Sequence, residues 1–500
     1  MNKLKIVTAA VLAGAMVLSM TACDESTPAT GTSGGAAPTT TVATTAATTT
    51  TFARNDDVVS AVGEITDKVD NPDLNVNRRI KWMAWWDMDE TTPAAELFKS
   101  VYGVPTEGSD PEREGRIFEY TSVAYAERYD KLGAAIAADD SPDMFPFEIL
   151  DFPYGVLMGR YQPVDEIIDL DSAKWASTKD LRKMFELNGR QYCAFYEISL
   201  NNMMYYRTSM IDDIGADDPR TLFEEGNWTW DTFLEIARAW QESGDDRYVI
   251  DGYNPENDFV LSTGTPMVGN VDGKIVNNLY DPAIERVENN MLSVLQKENL
   301  RYPRHELNGW NVNPKAWADG QILFYCDGGR WVFEETLTKY AKKNGWSDDE
   351  IKFVPFPKDP QADAHYVTLK QDAMMWCKGS DYADGVAAWL DCSVTAAQDD
   401  SVVETSKLQA MENYGWTRDN IDFYYSLTTL DGSSPVSPIV DFKGGLGTVS
   451  DGSATENPVQ SLTNLVYLTG ESFTQLRETH NPAIQAAIDE INASIEGKKN

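Results

Sequence analysis

The chain is predicted to fold as an α/β protein of two lobes. Strand-like and helix-like segments alternate along most of it, and that order calls for sheets covered by helices. The stretch from about Asn77 to the end is roughly 420 residues, longer than one apolar core usually serves. Aromatic residues make up 11% of the composition, a content that large cores use.

The first element is not part of that fold. Met1 to Lys5 is basic, Ile6 to Met20 is an apolar run of about fifteen residues, and Thr21-Ala22 is a small-residue pair. That layout is an export leader, and the run is too short to span a membrane. Leu18-Ser19-Met20-Thr21-Ala22-Cys23 resembles a bacterial lipobox, in which Cys23 becomes the lipid-modified first residue of the mature chain. From Asp24 to about Ala53 the chain is rich in Thr, Ala, Gly, Ser and Pro, with no aromatic residue before Phe52. Such a segment cannot bury enough apolar surface to offset its ordering entropy. It reads as a flexible tether, with the tether region taken as 23–76. Gly31-Thr32-Ser33-Gly34-Gly35 matches a serine-hydrolase elbow in letters only, because that elbow needs a strand before it and a helix after it.

Ile80 to Trp86 reads as a buried strand, and Arg116 to Tyr120 as a second. Tyr125, Tyr129, Leu132 and Ile136 share one helical face, and Ser141-Pro142-Asp143 stops that helix before a short strand, Met144 to Phe147. Gln191 to Phe195 and Met203 to Arg207 are strand-like. Thr229 and Asp231 open a helix whose inner face is Trp230, Phe233, Leu234, Ala237 and Trp240. Ile322 to Tyr325 and Lys352 to Pro355 are strands, and Val354-Pro355-Phe356-Pro357 is extended because proline forbids helix there. Ala383 to Leu390 is helical. Asn481 is predicted to cap a last helix with Pro482 at its first position and Ile484, Ile488, Ile491 and Ile495 facing inward.

The net charge of −37 disfavours nucleic acid and anionic membrane surfaces as partners. It favours neutral or cationic ligands. His305, His365 and His480 are widely separated, which speaks against histidine catalysis and HExxH metal sites, and no P-loop is present. Neither a metal, a cofactor nor a catalytic residue is expected. Cys193, Cys326, Cys377 and Cys392 form no CxxC pair, and disulfides or free thiols remain equally compatible with export.

Several segments in order resemble the extracellular sugar-binding receptors of bacterial ABC importers, the class that includes maltose-binding protein. They are Lys81 to Asp87, Lys131 to Ala137 with Ser141-Pro142-Asp143, Asn188 to Tyr192, Met203 to Arg207, Asn227 to Phe233, Asp319 to Phe324 with Gly328-Gly329-Arg330-Trp331, Lys352 to Lys358, and Ala483 to Asn492. Asp139-Asp140 and Arg207 depart from the family's usual residues. The resemblance implies the two-lobe periplasmic-binding-protein-like fold (type II), with a hinge between lobes and the ligand in the interlobe cleft. It places lobe 1 at about 77–196 plus 366–430 and lobe 2 at about 197–365 plus 431–500. It also implies a monomer, lipid-anchored on the extracytoplasmic face of the cell membrane, that passes an oligosaccharide to ABC permease subunits. A cell-surface glycoside hydrolase needs two carboxylates at a set separation, which sequence distance cannot test. An adhesion module without transport is the third reading.

Sugars present C–H faces for flat rings and hydroxyls for charged and amide groups. Trp85, Trp86 and Asp87 end the first strand, where open α/β sheets place ligand contacts, with one tryptophan facing the core and the other the cleft. Phe147 and Glu148 end another strand, and Tyr196 and Glu197 sit at the first crossover. Asp327, Arg330 and Trp331 flank Gly328-Gly329, which permit close backbone approach. Trp331 aligns with the family's stacking tryptophan. Trp310 stands in a Gly-Trp-Asn loop, while Trp228 and Trp230 are assigned to packing at a helix start.

Overall fold

The computed structural model describes residues 56–104, 115–252, 255–308, 311–429, 432–442 and 471–497, with 444, 446 and 462 as isolated positions. The leader, Cys23 and most of the tether lie outside the described residues, as does Trp310.

Ten strands carry the two main sheets: β1 (Ile80–Ala84), β2 (Phe118–Ser122), β3 (Met144–Pro146), β4 (Cys193–Leu200), β5 (Met204–Arg207), β6 (Tyr248–Asp251), β7 (Ile322–Tyr325), β8 (Ile351–Val354), β9 (Tyr366–Trp376) and β10 (Ser437–Ile439). In the six-stranded sheet β1 lies between β2 and β3, parallel to both. The end of β9 runs antiparallel between β3 and β4, and its start pairs in parallel with β10. The four-stranded sheet has the order β8-β5-β7-β6. β4 passes through Asn201 to Met203 into β5, and β8 passes through 355–365 into β9. Those passages link the two sheets, and the Asn201 N–H donates to Thr368 O at 3.2 Å where they run side by side.

The strand and helix interiors follow the hydrophobic patterning. Trp82 and Ala84 are fully buried, as are Ile322 to Phe324 of β7. Thr229 caps helix Trp230–Glu242 by a reciprocal exchange with Thr232, and Trp230, Phe233, Ala237 and Trp240 are buried. Ile484, Ile488, Ile491 and Ile495 all face inward. The four cysteines of the domain are separate, buried free thiols.

Two expectations fail for identifiable reasons. The last helix does not begin at Pro482 but runs Phe473–Gly497 with the proline inside it. Buried Phe473, Leu476 and Arg477 dock the added turns, and that packing outweighs the backbone bond the proline cannot make. Asn481 accepts from the Asn277 side chain at 2.8 Å. The tether also ends earlier than 76: Asp56–Gly63 is a helix, and Val58, Val62, Ile65 and Val69 are buried in the first lobe's apolar cluster. Their spacing is an apolar stripe, hidden at sequence level by its position behind a low-complexity run.

Candidate functional site

A cavity of about 1010 Å³ opens beside the crossover strands of the six-stranded sheet, with Arg330 and Tyr425 reaching it from the side of the four-stranded sheet. Its floor comes from the paired crossover strands. Tyr196, Glu197, Lys370 and Met374 line it. Tyr196 and Glu197 are adjacent, so a regular strand would send them to opposite faces. The register explains why both reach the cavity: Glu197 pairs with Asp372 and Phe195 with Ala373, leaving Tyr196 as the extra residue of a β-bulge. A bulge bends its strand and re-aims the side chain next to it.

One wall is the loop after β1. Trp86 is 40% exposed and lines the cavity with Met88, Asp89 and Thr91. Trp85 turns the other way, edge-on to Trp86 at 4.6 Å and to Tyr125 at 5.0 Å between ring centroids. Helices Ala383–Gln398 and Asp400–Tyr414 supply a second wall through Ser393, Ser406, Gln409, Asn413 and Tyr414. Arg330 closes the third side. Its Nε donates to Glu334 Oε1 at 2.5 Å, and its Nη1 lies 3.5 Å from the Tyr425 hydroxyl. Trp416 Nε1 donates to the same Glu334 oxygen at 2.9 Å. Burial alone would lower the Arg330 pKa, but Glu334 and Tyr425 more than offset it and hold the guanidinium charged. Burial, with Glu197 nearby, pushes the Tyr425 phenol up and keeps it neutral, able to donate to a ligand oxygen.

Gly329 sets how closely this loop approaches the crossover. A Cβ there would lie 2.3 Å from Leu200 O, and the Gly329 carbonyl accepts from the Tyr205 hydroxyl at 2.9 Å. Gly328 has φ +148°, and the Trp331 indole lies over it. Trp331 is 56% exposed and stands outside the cavity lining.

The structure thus brings Trp86, Tyr196, Glu197 and Arg330 to one cavity and places the other described candidates elsewhere. Asp87 forms a two-pronged ion pair with Arg116, at 2.9 and 2.8 Å. Phe147 packs edge-on against Phe185 and Phe195. Glu148 accepts from Arg128 at 3.0 and 2.6 Å and from the Tyr129 hydroxyl at 2.7 Å, all through Oε2, so that oxygen is occupied within lobe 1. Asp327 accepts from the Tyr325 hydroxyl at 3.0 Å, and its buried Oδ1 has no hydrogen-bond partner. Lys370, Asp89, Gln409, Tyr414 and Tyr425 line the cavity without having been foreseen. The helical ones lie on helix faces that look like ordinary solvated surface in sequence.

Burial, reinforced by Asp251, pushes the Asp327 carboxyl from its ordinary 3.8 up to about 6, against the Tyr325 bond and Arg304. The folded state therefore holds this proton more tightly than the unfolded chain does. Stability from this group is present below about pH 4 and is lost as pH rises through about 6. Asp327→Asn is expected to raise the melting temperature at pH 8 and to leave it unchanged at pH 4. Thermal unfolding at both pH values checks this; an equal gain at both would mean the effect is not ionisation.

Among the described residues no group of three or more His, Cys, Asp or Glu is arranged to hold a metal, and no helix is long and apolar enough to cross a membrane. The family described as bacterial extracellular solute-binding protein matches residues 112–408. No curated protein matches the chain in sequence. Among solved structures, a Listeria monocytogenes ABC substrate-binding protein in complex with cycloalternan is 15% identical, with TM-score 0.54, covering 84% of this chain and 99% of its own. The sugar-binding protein MalE from Xanthomonas citri is 14% identical, with TM-score 0.54, covering 84% and 98%. UgpB from Mycobacterium tuberculosis, in complex with glycerophosphocholine, is 14% identical, with TM-score 0.55, covering 82% and 99%. At these identities the likeness establishes the shared two-lobe α/β fold.

Proposed function

The chain belongs to the bacterial extracellular solute-binding proteins, and from that premise we propose that it is the receptor of an ABC importer, taking up an oligosaccharide in the cavity beside its crossover strands. The observation that supports this most is the lining of that cavity. Trp86, Tyr196, Tyr414 and Tyr425 offer rings, while Asp89, Glu197, Arg330, Lys370, Gln409 and Asn413 offer polar groups. Rings pack on the C–H faces of a sugar, and the polar groups bond its hydroxyls. The volume of about 1010 Å³ lies at the upper end of the usual range for small-molecule sites, which favours several sugar units over one.

In this reading Trp86, Tyr196, Glu197 and Arg330 are ligand contacts. Trp331, exposed beside the cavity, reaches the sugar when the lobes close around it. Asp87, Phe147, Glu148 and Asp327 support the walls. In this reading the lobe limits inferred from the sequence are adjusted in two places: helix Arg418–Thr428 goes with the second lobe, since Asn420 Nδ2 donates to Ile351 O of β8 at 2.9 Å, and Ser437–Ile439 goes with the first, since it pairs with the start of β9. The ligand shifts the open and closed populations only by its preference for the closed state. Lipidation at Cys23 and delivery to permease subunits complete the proposal, with the protein on the extracytoplasmic face of the membrane.

A thermal-shift screen of the chain from Asn55 onward against mono- and oligosaccharides, maltotetraose among them, tests it. A ligand at 100 times its dissociation constant adds about 2.7 kcal/mol of stability. The expected result is a clear shift with unchanged sugar, abolished in Trp86→Ala. Sugar hydrolysis would make the protein a glycosidase, and no shift across the panel would remove carbohydrate as its ligand class.

A further inference from the structure

The segment ahead of β1 runs bond by bond along the two helices that wall the cavity. Val58 and Val62 of helix Asp56–Gly63, with Ile65 and Val69 after it, are buried among Leu97, Phe98, Trp389 and Val402. Lys68 Nζ donates to Asp399 Oδ2 at 2.5 Å. Asp399 is the N-cap of helix Asp400–Tyr414 and accepts from the Ser401 and Val402 N–H groups at 3.0 and 3.3 Å. The Asp70 N–H donates to Asp391 of helix Ala383–Gln398 at 2.8 Å, and the Asn75 N–H to Asp384 at 3.0 Å. Lys174 ties the same place together, donating to Lys68 O at 3.0 Å and to Asp391 at 2.5 Å. Asp56, where the segment begins, lines the cavity itself, next to Val402, Ser406 and Gln409.

We propose that Asp56–Val69 is a positioning strap of the solute site: it holds the helical wall of the cavity in place, and ligand affinity depends on its attachment. The physical reason lies in the packing of that wall. Helix Asp400–Tyr414 buries only Val402 and Ala410, so it has little core of its own to fix it. The buried face of the strap supplies apolar contact to that helix through Val402, and Lys68 holds the carboxylate that caps the helix. Released, the helix keeps its residues but loses the fixed placement of Ser406, Gln409, Asn413 and Tyr414 toward a ligand. Pre-organisation of this kind lowers the ordering cost of binding. The proposal rests on the reading of the cavity as the solute site.

The test compares the chain from Asn55 onward with its Val62→Asp and Lys68→Met variants, reading hydrogen exchange by peptide and maltotetraose affinity. The strap predicts that exchange in 383–414 rises by about tenfold or more in Val62→Asp, while β3 and β9 keep their protection. It also predicts a dissociation constant about fivefold or more higher, with Lys68→Met shifting both in the same direction by less. Unchanged exchange in 383–414 in both variants overturns the proposal, as does faster exchange with unaltered affinity. Should Val62→Asp unfold globally, Lys68→Met alone decides. If the unmodified chain does not bind maltotetraose, the solute reading loses that sugar, and the exchange data by themselves decide whether the strap holds the wall.

Discussion

Arg128→Met is expected to destabilise the protein by about 3–5 kcal/mol, the usual effect of removing one partner of a buried ion pair. Arg128 is only 1% exposed. Its guanidinium donates to Glu148 through Nε and Nη2 and to Tyr125 O through Nη1 at 2.5 Å. The same group stacks 3.6 Å from the Tyr125 ring centroid and 4.3 Å from that of Tyr129. Without it the Glu148 carboxylate keeps the Tyr129 hydroxyl and loses its countercharge in a nearly dry place. Methionine fills much of the volume, so the cost is electrostatic more than steric. Urea unfolding measures the loss. The double variant Arg128→Met with Glu148→Gln is expected to recover part of it, because the stranded charge goes too. A single variant within 1 kcal/mol of the parent would refute the role given to Arg128. Ligand affinity is expected to fall as well: Arg128 lies 5.6 Å from the Trp85 ring, and Trp85 braces Trp86.

Gly329→Ala is expected to have the second largest effect, about 1–3 kcal/mol of destabilisation with a marked loss of affinity. The added methyl would sit 2.3 Å from Leu200 O, a backbone atom that cannot rotate away. Leu200 pairs with Leu369 where the crossover strands run together, so either the 328–331 loop retreats or the strand pair shifts. The loop is the freer of the two. Arg330 then moves from Tyr425 and Glu334, and the cavity widens on that side. Calorimetric titration with whichever sugar the parent binds, together with urea unfolding, reads both effects. Gly133→Ala serves as a control for a lost glycine without a clash, since open space surrounds that position and its backbone is ordinary helix. Equal behaviour of the two variants would remove the close approach as the explanation.

Much of the architecture was legible because its signals are local. An aromatic run ending in Trp85-Trp86, the Thr229 cap with its apolar stripe, and the isoleucines of the last helix each need only a few neighbours to be read. The site was legible in part, and the misses share a cause. Glu148 looks like a ligand-ready carboxylate at a strand end until a helix twenty residues earlier delivers Arg128 to it. Asp87 looks the same until β2 brings Arg116 alongside. Tyr425 and Gln409 give no sign, because a hydroxyl or amide on a helix surface faces solvent unless some remote element covers it.

The residue pattern alone fixed most element types, the two-lobe class and the apolar faces, since each follows from spacing along a few turns or from composition. Tertiary structure alone decided which side chains share the cavity. Tyr196 and Glu197 both reach the cavity because of one bulge against β9, and without it the alternation of the strand would have sent them to opposite faces. The stripe of Val58, Val62, Ile65 and Val69 became part of the domain because helices some 330 residues later offer it a partner, as the Lys68–Asp399 bond records. Contacts over such distances depend on how whole elements dock, and no local pattern of residues encodes that.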